Sequence, residues 1–386
     1  MTSAKQHGAV MATTIALAAI VLGGAAAAYG WAYARPQFMY SYLTAWLFWT
    51  GVSLGSLSLV LLHNLTGGVW GQAVRPLLRG AVSLIPVMGV FALPVVLNPQ
   101  MLYEWADPSH VQRDAVLRYK QPYLNVEFFQ LRAALYFGLW MLLAALVAWQ
   151  GRSPAPPDSP ADRRFRRFSG QGVGLHGLAV TFASVDWMMS LEPHWFSMIY
   201  GVVWFAGQGV TALALSIVVL AASERRDEVL AAAGPKAFHD LGKLLLGFIM
   251  FWMYVAFSQF FIIWHGNLPE EVVWYNRRLG GGWQWAALSL AALRFALPFL
   301  LLLSRDLKRD PRRLAPVALL VFVMHWVEIV WLVEPAVERG EARFVPWLDA
   351  ALTLAIGGIW WLLYRLFTPR TPMEPIHAGP AGASHG

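Results

Sequence analysis

The chain has 386 residues, of which 58% are hydrophobic and only 13% are charged, and its mean hydropathy is +0.50. Soluble globular proteins carry about 25% charged residues, so this composition predicts a membrane protein. The chain has no cysteine, which excludes covalently attached haem c, thiolate-held iron–sulfur clusters and disulfides. Its net charge of +7 is typical of basic inter-helix loops, and we do not expect nucleic acid as a partner.

Ten apolar stretches follow one another, each near the roughly 20 residues that cross a 30 Å hydrocarbon core. The alternation of a transmembrane β-barrel is missing, so we predict an all-α integral membrane protein with about ten transmembrane helices. We number the predicted spans 1 to 10: Val10–Tyr33, Phe38–Leu62, Leu77–Leu97, Phe128–Trp149, Gly170–Met189, Trp195–Ala222, Phe238–Ile263, Trp283–Leu303, Leu314–Val333 and Trp347–Leu366. Span 1 is longer than the apolar part of a signal peptide, so we predict that it is retained.

The distribution of Lys and Arg predicts the orientation. With both termini cytoplasmic, 18 of these residues lie in cytoplasmic segments and eight in outer loops. The remaining three, Arg132, Lys243 and Arg294, lie inside spans. Because cytoplasmic loops carry the excess of positive charge, we predict an N-in, C-in topology.

Glycines at spacings of three and four residues predict close packing of helices. Gly51 and Gly55 lie in span 2, and Gly170, Gly174 and Gly177 lie in span 5. Small residues at such spacings let helix backbones approach each other in a membrane. We assign these glycines no chemistry.

Several ionisable side chains fall inside the spans, where charge is costly and commonly functional. Asp186 lies near the outer end of span 5, and His176 lies about two turns into it from the cytoplasm. His325 and Glu328 share one face of span 9 near mid-bilayer, a spacing that suits proton transfer, and Glu334 lies at its outer end.

Arg294 lies halfway along span 8 and is a natural counter-ion for Glu328 or Asp186. Arg132, one turn into span 4, could serve the same purpose or extend to the outer headgroups. At the cytoplasmic start of span 7, Asp240 and Lys243 form either a relay or an interfacial salt bridge.

These groups predict a proton path and no catalytic residue or metal ligand. The outer half consists of Asp186, His325, Glu328 and Arg294, with Arg132 near the outside, and His176, Asp240 and Lys243 lead in from the cytoplasm. The other reading of His176 is a core histidine that makes one helix–helix hydrogen bond. A b-type haem between His176 and His325 is not favoured, because the two differ in depth.

The segment Phe182–Gly201, FASVDWMMSLEPHWFSMIYG, carries a resemblance. It resembles the ActF-type membrane subunits of bacterial alternative complex III, a quinol:cytochrome c or high-potential iron–sulfur protein oxidoreductase. These belong with the NrfD and polysulfide reductase membrane subunits. The resemblance extends to chain length, number of spans and order of loops.

The resemblance implies two four-helix bundles, spans 2–5 and 6–9, with spans 1 and 10 at their flanks. The corresponding boundaries are 1–37, 38–190, 191–335 and 336–370, followed by a tail, 371–386, that we expect to be disordered. It implies a complex in the bacterial cytoplasmic membrane. The partners would be a pentahaem cytochrome, an iron–sulfur subunit, a monohaem cytochrome, a sister ten-span ActC-type subunit, lipids and a terminal oxidase.

The implied role is a subunit of a respiratory quinol oxidoreductase without a redox centre of its own. Haem c and iron–sulfur clusters would lie on partners, quinone or quinol is the cofactor the complex could place here, and no motif fixes a quinone pocket. This chain would supply a proton path and a scaffold beside the quinol-oxidising sister subunit. The alternatives are a secondary transporter, which also suits ten spans with buried charges, and a purely structural subunit.

Overall fold

In this computed structural model the described residues are 2–152, 159–339 and 346–368. Within these ranges all regular elements are helices and no strand occurs. The predicted tail 371–386 lies outside them. Eight long helices cover Thr2–Tyr33, Arg35–Thr66, Val126–Arg152, Pro160–Trp187, Tyr200–Ala222, Lys236–Gly266, Pro311–Val333 and Pro346–Phe367. The protein is therefore an all-α multi-span membrane protein, as predicted.

Two spans are broken into shorter helices. Span 3 consists of Val69–Val82, Ile85–Phe91 and Leu93–Leu97, and span 8 consists of Trp283–Ser289, a π-helical segment Leu290–Ala296, and Leu297–Leu303. Proline supplies no amide hydrogen and disrupts the preceding turn, which explains breaks near Pro86, Pro94 and Pro298.

Short helices connect the spans. They cover Pro108–Arg113, Ala115–Lys120, Arg225–Ala233, Pro269–Arg278 and Arg305–Arg309, and 3₁₀ turns cover Pro99–Met101, Glu104–Ala106, Met189–Leu191 and Glu334–Arg339. Two of these short helices begin after an Asp whose side chain accepts hydrogen bonds from backbone amides: Asp107 before Pro108–Arg113 and Asp114 before Ala115–Lys120. This is the usual chemistry of a helix N-cap.

Nine helices in the described ranges are long and apolar enough to cross a membrane, one fewer than predicted. Span 5 is the exception. Its helix, Pro160–Trp187, has 28 residues and is long enough. Basic residues in its first turns, several glycines, Gln171, His176 and Asp186 lower its hydropathy.

The contacts of span 5 nevertheless show that it runs the full depth of the protein. At one end, the hydroxyl of Ser169 accepts a hydrogen bond from Asn64 at the predicted cytoplasmic end of span 2. At the other end, the carbonyl of Trp187 accepts one from Tyr103 in the predicted outer loop between spans 3 and 4. The helix therefore connects the two faces and is long enough to serve as the tenth predicted crossing.

Spans 2 and 6 form the centre of the molecule. Span 2 contacts spans 3, 4 and 5 as well as span 6, and span 6 contacts spans 7 and 9. Span 1 packs along span 10, which in turn packs on span 2. Span 6 also contacts span 5, so spans 2–5 and 6–9 share an interface, and their division into two bundles stays a prediction.

The glycine predictions are partly wrong. A Cβ on Gly55 would lie 2.1 Å from the carbonyl oxygen of Gln208, so spans 2 and 6 meet backbone to backbone there, as predicted. A Cβ on Gly174 or Gly177 would meet nothing within 4 Å. Those two positions in span 5 face open space on this chain, because its packed face carries Gly172 instead.

Ion pairs hold the outer loops together. Glu192 contacts Arg277 at 2.5 Å and Arg278 at 2.7 Å, which joins the connection between spans 5 and 6 to that between spans 7 and 8. His194 and Asp114 are 2.6 Å apart. Burial opposes ionisation of Asp114, but hydrogen bonds from His194 and two backbone amides outweigh it and lower its pKa.

Candidate functional site

The structure divides the predicted path residues among separate places. Asp186 pairs with Arg132 in the first bundle. Arg294, His325 and Glu328 form a cluster in the second bundle, which we call the span 8–9 cluster. Of the two counter-ions predicted for Arg294, the structure therefore selects Glu328.

The first-bundle pair is bidentate and almost completely buried. Nε and Nη2 of Arg132 lie 2.8 and 2.9 Å from the two carboxylate oxygens of Asp186. Tyr136 donates a third hydrogen bond to Asp186 at 2.8 Å, and Arg132 stacks on the rings of Tyr123 and Phe128. Arg132 is only 5% exposed, so the alternative that it extends to the headgroups is wrong.

Glu328 is the centre of the span 8–9 cluster. Its Oε2 contacts both Nη1 of Arg294 and Nδ1 of His325, the latter at 2.7 Å. Its Oε1 accepts a hydrogen bond from the indole of Trp252 in span 7 at 2.5 Å. The guanidinium of Arg294 also lies over the Trp252 ring, with 4.2 Å to its centroid. Arg294 and His325 are 0% exposed, and Glu328 is 3% exposed.

The position of one proton on His325 distinguishes two arrangements of this cluster. Nδ1 of His325 is 3.0 Å from Nη1 of Arg294 and 2.7 Å from Oε2 of Glu328. The guanidinium can only donate, so Nδ1 must be an acceptor towards Arg294. Towards ionised Glu328 it must be a donor. The cluster therefore has two arrangements that differ by the place of one proton.

Local backbone features place these side chains. His325 and Glu328 are three residues apart and share a helix face. Arg294 lies in the π-helical segment. In a π-helix each amide donates to the carbonyl five residues earlier instead of four, so the carbonyl of Arg294 does not need the amide hydrogen that Pro298 lacks. Gly207 in span 6 makes room, since a Cβ there would lie 3.1 Å from Oε2 of Glu328.

Several polar atoms beside the cluster have no hydrogen-bond partner in the described structure. They are Nε2 of His325, both amide atoms of Gln208, and Nε and Nη2 of Arg294. A Cβ on Gly51 would lie 3.4 Å from Cγ of Gln208 and 3.7 Å from Nε2 of His325. The second imidazole nitrogen thus faces the boundary between spans 2 and 6, where buried polar groups commonly bind water.

The cytoplasmic members of the predicted path have simpler settings. Nε2 of His176 forms a 2.7 Å hydrogen bond with Ser58 of span 2, the helix–helix contact that was the alternative reading. Asp240 and Lys243 lie 3.7 Å apart, and the Lys243 side chain is 59% exposed, as in an interfacial salt bridge. In the described part of the chain, no hydrogen bond joins these residues to the span 8–9 cluster. A path through them stays a prediction.

The sequence analysis missed two buried contacts between ionisable side chains. One joins Glu192 to Arg278, which is 1% exposed; burial lowers the pKa of Arg278, while Glu192 raises it. The other joins the carboxyl groups of Glu334 and Asp349. The signal for both was present, since acidic and basic residues flank the outer ends of the spans, but partners 15 to 86 residues apart cannot be matched by spacing.

The His, Asp and Glu side chains of the described residues do not suggest a metal or haem site. Within residues 2–152, 159–339 and 346–368 no set of three His, Asp or Glu side chains could hold a metal ion. His176 and His325 bond to different partners, Ser58 and Glu328, and lie in different bundles. The two histidines therefore do not fit a shared haem.

An open cavity of about 370 Å³ lies at the outer end of the first bundle. Its lining includes the aromatic rings of Tyr119, Tyr123 and Trp195 together with Lys120. The hydroxyl of Tyr123 is buried and has no hydrogen-bond partner in the described structure. The cavity thus combines aromatic walls with few polar groups.

Comparison with known families and with curated proteins found no match to this chain.

Proposed function

We propose that this chain is a membrane subunit of a respiratory quinol:electron-acceptor oxidoreductase of the alternative complex III type, in a bacterial cytoplasmic membrane. Its own contribution is proton transfer through the second bundle and a scaffold for partner subunits. The observation that carries the proposal is the buried span 8–9 cluster, in which His325 and Glu328 share one proton position beside the fixed charge of Arg294. The assignment to a respiratory redox complex rests on the resemblance of the segment Phe182–Gly201 to alternative complex III subunits.

The cluster has the chemistry of a proton relay. A proton that reaches Nε2 of His325 produces an imidazolium, whose Nδ1–H donates to Oε2 of Glu328. Transfer of the Nδ1 proton to Oε2 gives a neutral acid and a neutral imidazole. Arg294 keeps its charge throughout and holds the pair in place, so it is a positioning residue.

Quinol chemistry, when a quinol is bound, supplies electrons and protons to the complex. Tyr119 and Trp195 would hold the ring of a quinone in the outer cavity. Asp186, paired with Arg132, lies behind this wall, since Arg132 stacks on Tyr123. Haem c and iron–sulfur clusters would belong to partner subunits.

Proton release by the assembled complex tests the proposal. We expect the Arg294→Gln/Glu328→Gln double variant to assemble, because it removes both charges and leaves no unpaired buried ion. Reconstituted into vesicles and supplied with a soluble quinol, it should release fewer protons per electron. Glu328→Asp should restore part of the loss. Asp227→Asn, in an exposed ion pair with Arg226 outside the predicted path, is the control and should behave as the wild type.

Equal proton release per electron by the double variant and the wild type would contradict the relay. Purification distinguishes a secondary transporter from an oxidoreductase subunit. A secondary transporter purifies without partners, whereas a subunit of an oxidoreductase brings haem absorbance with it. A purely structural subunit predicts that the double variant changes assembly and leaves proton release per electron unchanged.

A further inference from the structure

A second buried site lies where spans 2, 9 and 10 meet, apart from the residues of the proposed relay. It contains two carboxylic acids, Glu334 at the end of span 9 and Asp349 at the start of span 10, and both are 0% exposed. The two carboxyl groups interact directly. We call them the acid pair.

Span 2 provides the surroundings of the acid pair. The amide nitrogen of Gln37 donates to one oxygen of Glu334 at 3.0 Å, and the hydroxyl of Thr44 donates to the other at 3.0 Å. The same amide of Gln37 contacts the hydroxyl of Ser41. All three residues are at most 2% exposed.

The charges do not balance if both acids are ionised. Among the side chains that the structure describes, no Lys, Arg or His forms an ion pair with Glu334 or Asp349. The nearby Arg278 is bound to Glu192 and to the carbonyl oxygens of Trp331 and Leu332. Two adjacent carboxylates in an apolar interior cannot both remain ionised, so such a pair takes up a proton.

Buried acceptors without a hydrogen-bond partner also indicate that the pair holds a proton. Both oxygens of Asp349 and Oε1 of Gln37 are buried and have no hydrogen-bond partner among the described residues. Glu334, in contrast, already accepts two donors, which favour its ionised form. One proton shared between Glu334 and Asp349 would give these acceptors a donor and remove one of the two charges.

We propose that Glu334 and Asp349 form a proton-binding site that holds one proton between them. The site lies at the predicted outer end of span 9, six residues beyond Glu328, which is about 9 Å along a helix. It could release its proton to the outer face or receive one from the bilayer interior.

Span 2 connects the acid pair to His325. Gln37, Ser41, Thr44, Phe48 and Gly51 follow one another at spacings of four and three residues, so they lie on one face of the helix. The first three surround the acid pair. Phe48 packs against the His325 ring at 5.7 Å, and Gly51 lies beside its free Nε2. A role for the acid pair in proton release rests on the proposed function; proton binding itself does not.

Infrared spectroscopy of the resting complex tests proton binding without turnover. With ¹³C-labelled Asp and Glu side chains, the wild type at neutral pH should show the C=O stretch of a protonated carboxyl. Glu334→Gln/Asp349→Asn should lose intensity equal to one carboxyl per chain. Asp240→Asn is the control and should keep the band.

Equal band intensity in the wild type and the double variant would overturn the proposal. So would a sodium-dependent change of carboxylate bands in the wild type that the double variant lacks, because the pair would then hold a metal cation. Vesicle measurements address the proposed function separately. A lost band with unchanged proton release would keep the proton site and remove its role in the relay.

Discussion

Asp186 and Arg132 illustrate the cost of a charge in an apolar interior. Each would be expensive alone, and together they satisfy each other through two hydrogen bonds, with a third from Tyr136. Asp186 is 0% exposed, so little water screens the pair. The strongest effect is therefore expected when only one partner is removed.

We expect Arg132→Met to lower the free energy of unfolding by about 3–5 kcal/mol, because it leaves the carboxylate of Asp186 buried and unpaired. The Arg132→Met/Asp186→Leu double variant should recover most of this loss. Unfolding in mixed micelles of mild and denaturing detergent measures both. Additive effects of the two substitutions would contradict a coupled pair. Lys243→Met serves as the control, since the exposed pair should contribute at most about 1 kcal/mol.

Gly207 is the residue on which the span 8–9 cluster depends for space. In Gly207→Ala the new Cβ would lie 3.1 Å from Oε2 of Glu328 and 3.2 Å from Nη2 of Arg294. We expect a stability loss of about 1–3 kcal/mol from overpacking and a slower proton release. Gly247→Ala is the matched control in span 7, where a Cβ meets nothing within 4 Å. Equal behaviour of the two variants would show that the cluster has room to spare.

The sequence identified which buried charges matter but could not pair them all. Depth follows from position in an apolar stretch, and that located Asp186, Arg294, His325 and Glu328. Pairing depends on which spans are neighbours. Spacing alone allowed Arg294 to face either bundle. Asp349, the first acid of span 10, was not predicted to be functional, because its partner Glu334 lies 15 residues earlier in the chain.

At the scale of the elements, span 8 departs from a regular helix at the point where function is proposed. The segment Leu290–Ala296 is π-helical and contains Arg294, and Pro298 follows two residues later. Such segments are rare and often occur at functional sites. The sequence predicted span 8 as a helix, but its periodicity contains no signal for a local change of hydrogen bonding.

Pro298→Ala restores the amide donor and should favour regular α-helix through span 8. Loss of the extra residue of the π-helical turn rotates the preceding segment by about 100°, which removes Arg294 from Glu328. We expect slower proton release from a complex that still assembles. Pro316→Ala in span 9, at a proline within a regular α-helix, is the control. A structure of the variant with Arg294 still on Glu328 would contradict this explanation.

The spans themselves were well predicted, because an apolar stretch of membrane length is a strong signal. The exception is span 5, where polar residues and glycines dilute that signal although the helix crosses the protein. The sequence placed this span at Gly170–Met189, whereas the helix begins earlier, at Pro160, because its first turns are basic and polar.

At the scale of the whole molecule, the outer loops form one connected surface. Asp114 between spans 3 and 4 bonds to His194 after span 5, and the adjacent Glu192 bonds to Arg277 between spans 7 and 8. Loops that touch must lie on the same side of the membrane. An even number of crossings must therefore separate the first loop from the third, and this requires span 5 to cross.

Because the chain has no cysteine of its own, cysteines introduced one at a time can test this topology without labelling at other positions. We expect Ser109→Cys and Glu270→Cys, in the first and third of these loops, to react alike with a membrane-impermeant maleimide applied to intact cells. Asp306→Cys, between spans 8 and 9, should react only after the membrane is opened, since the predicted N-in orientation places it in the cytoplasm. If span 5 did not cross, Ser109→Cys and Glu270→Cys would label from opposite sides, and the contacts that join their loops could not exist.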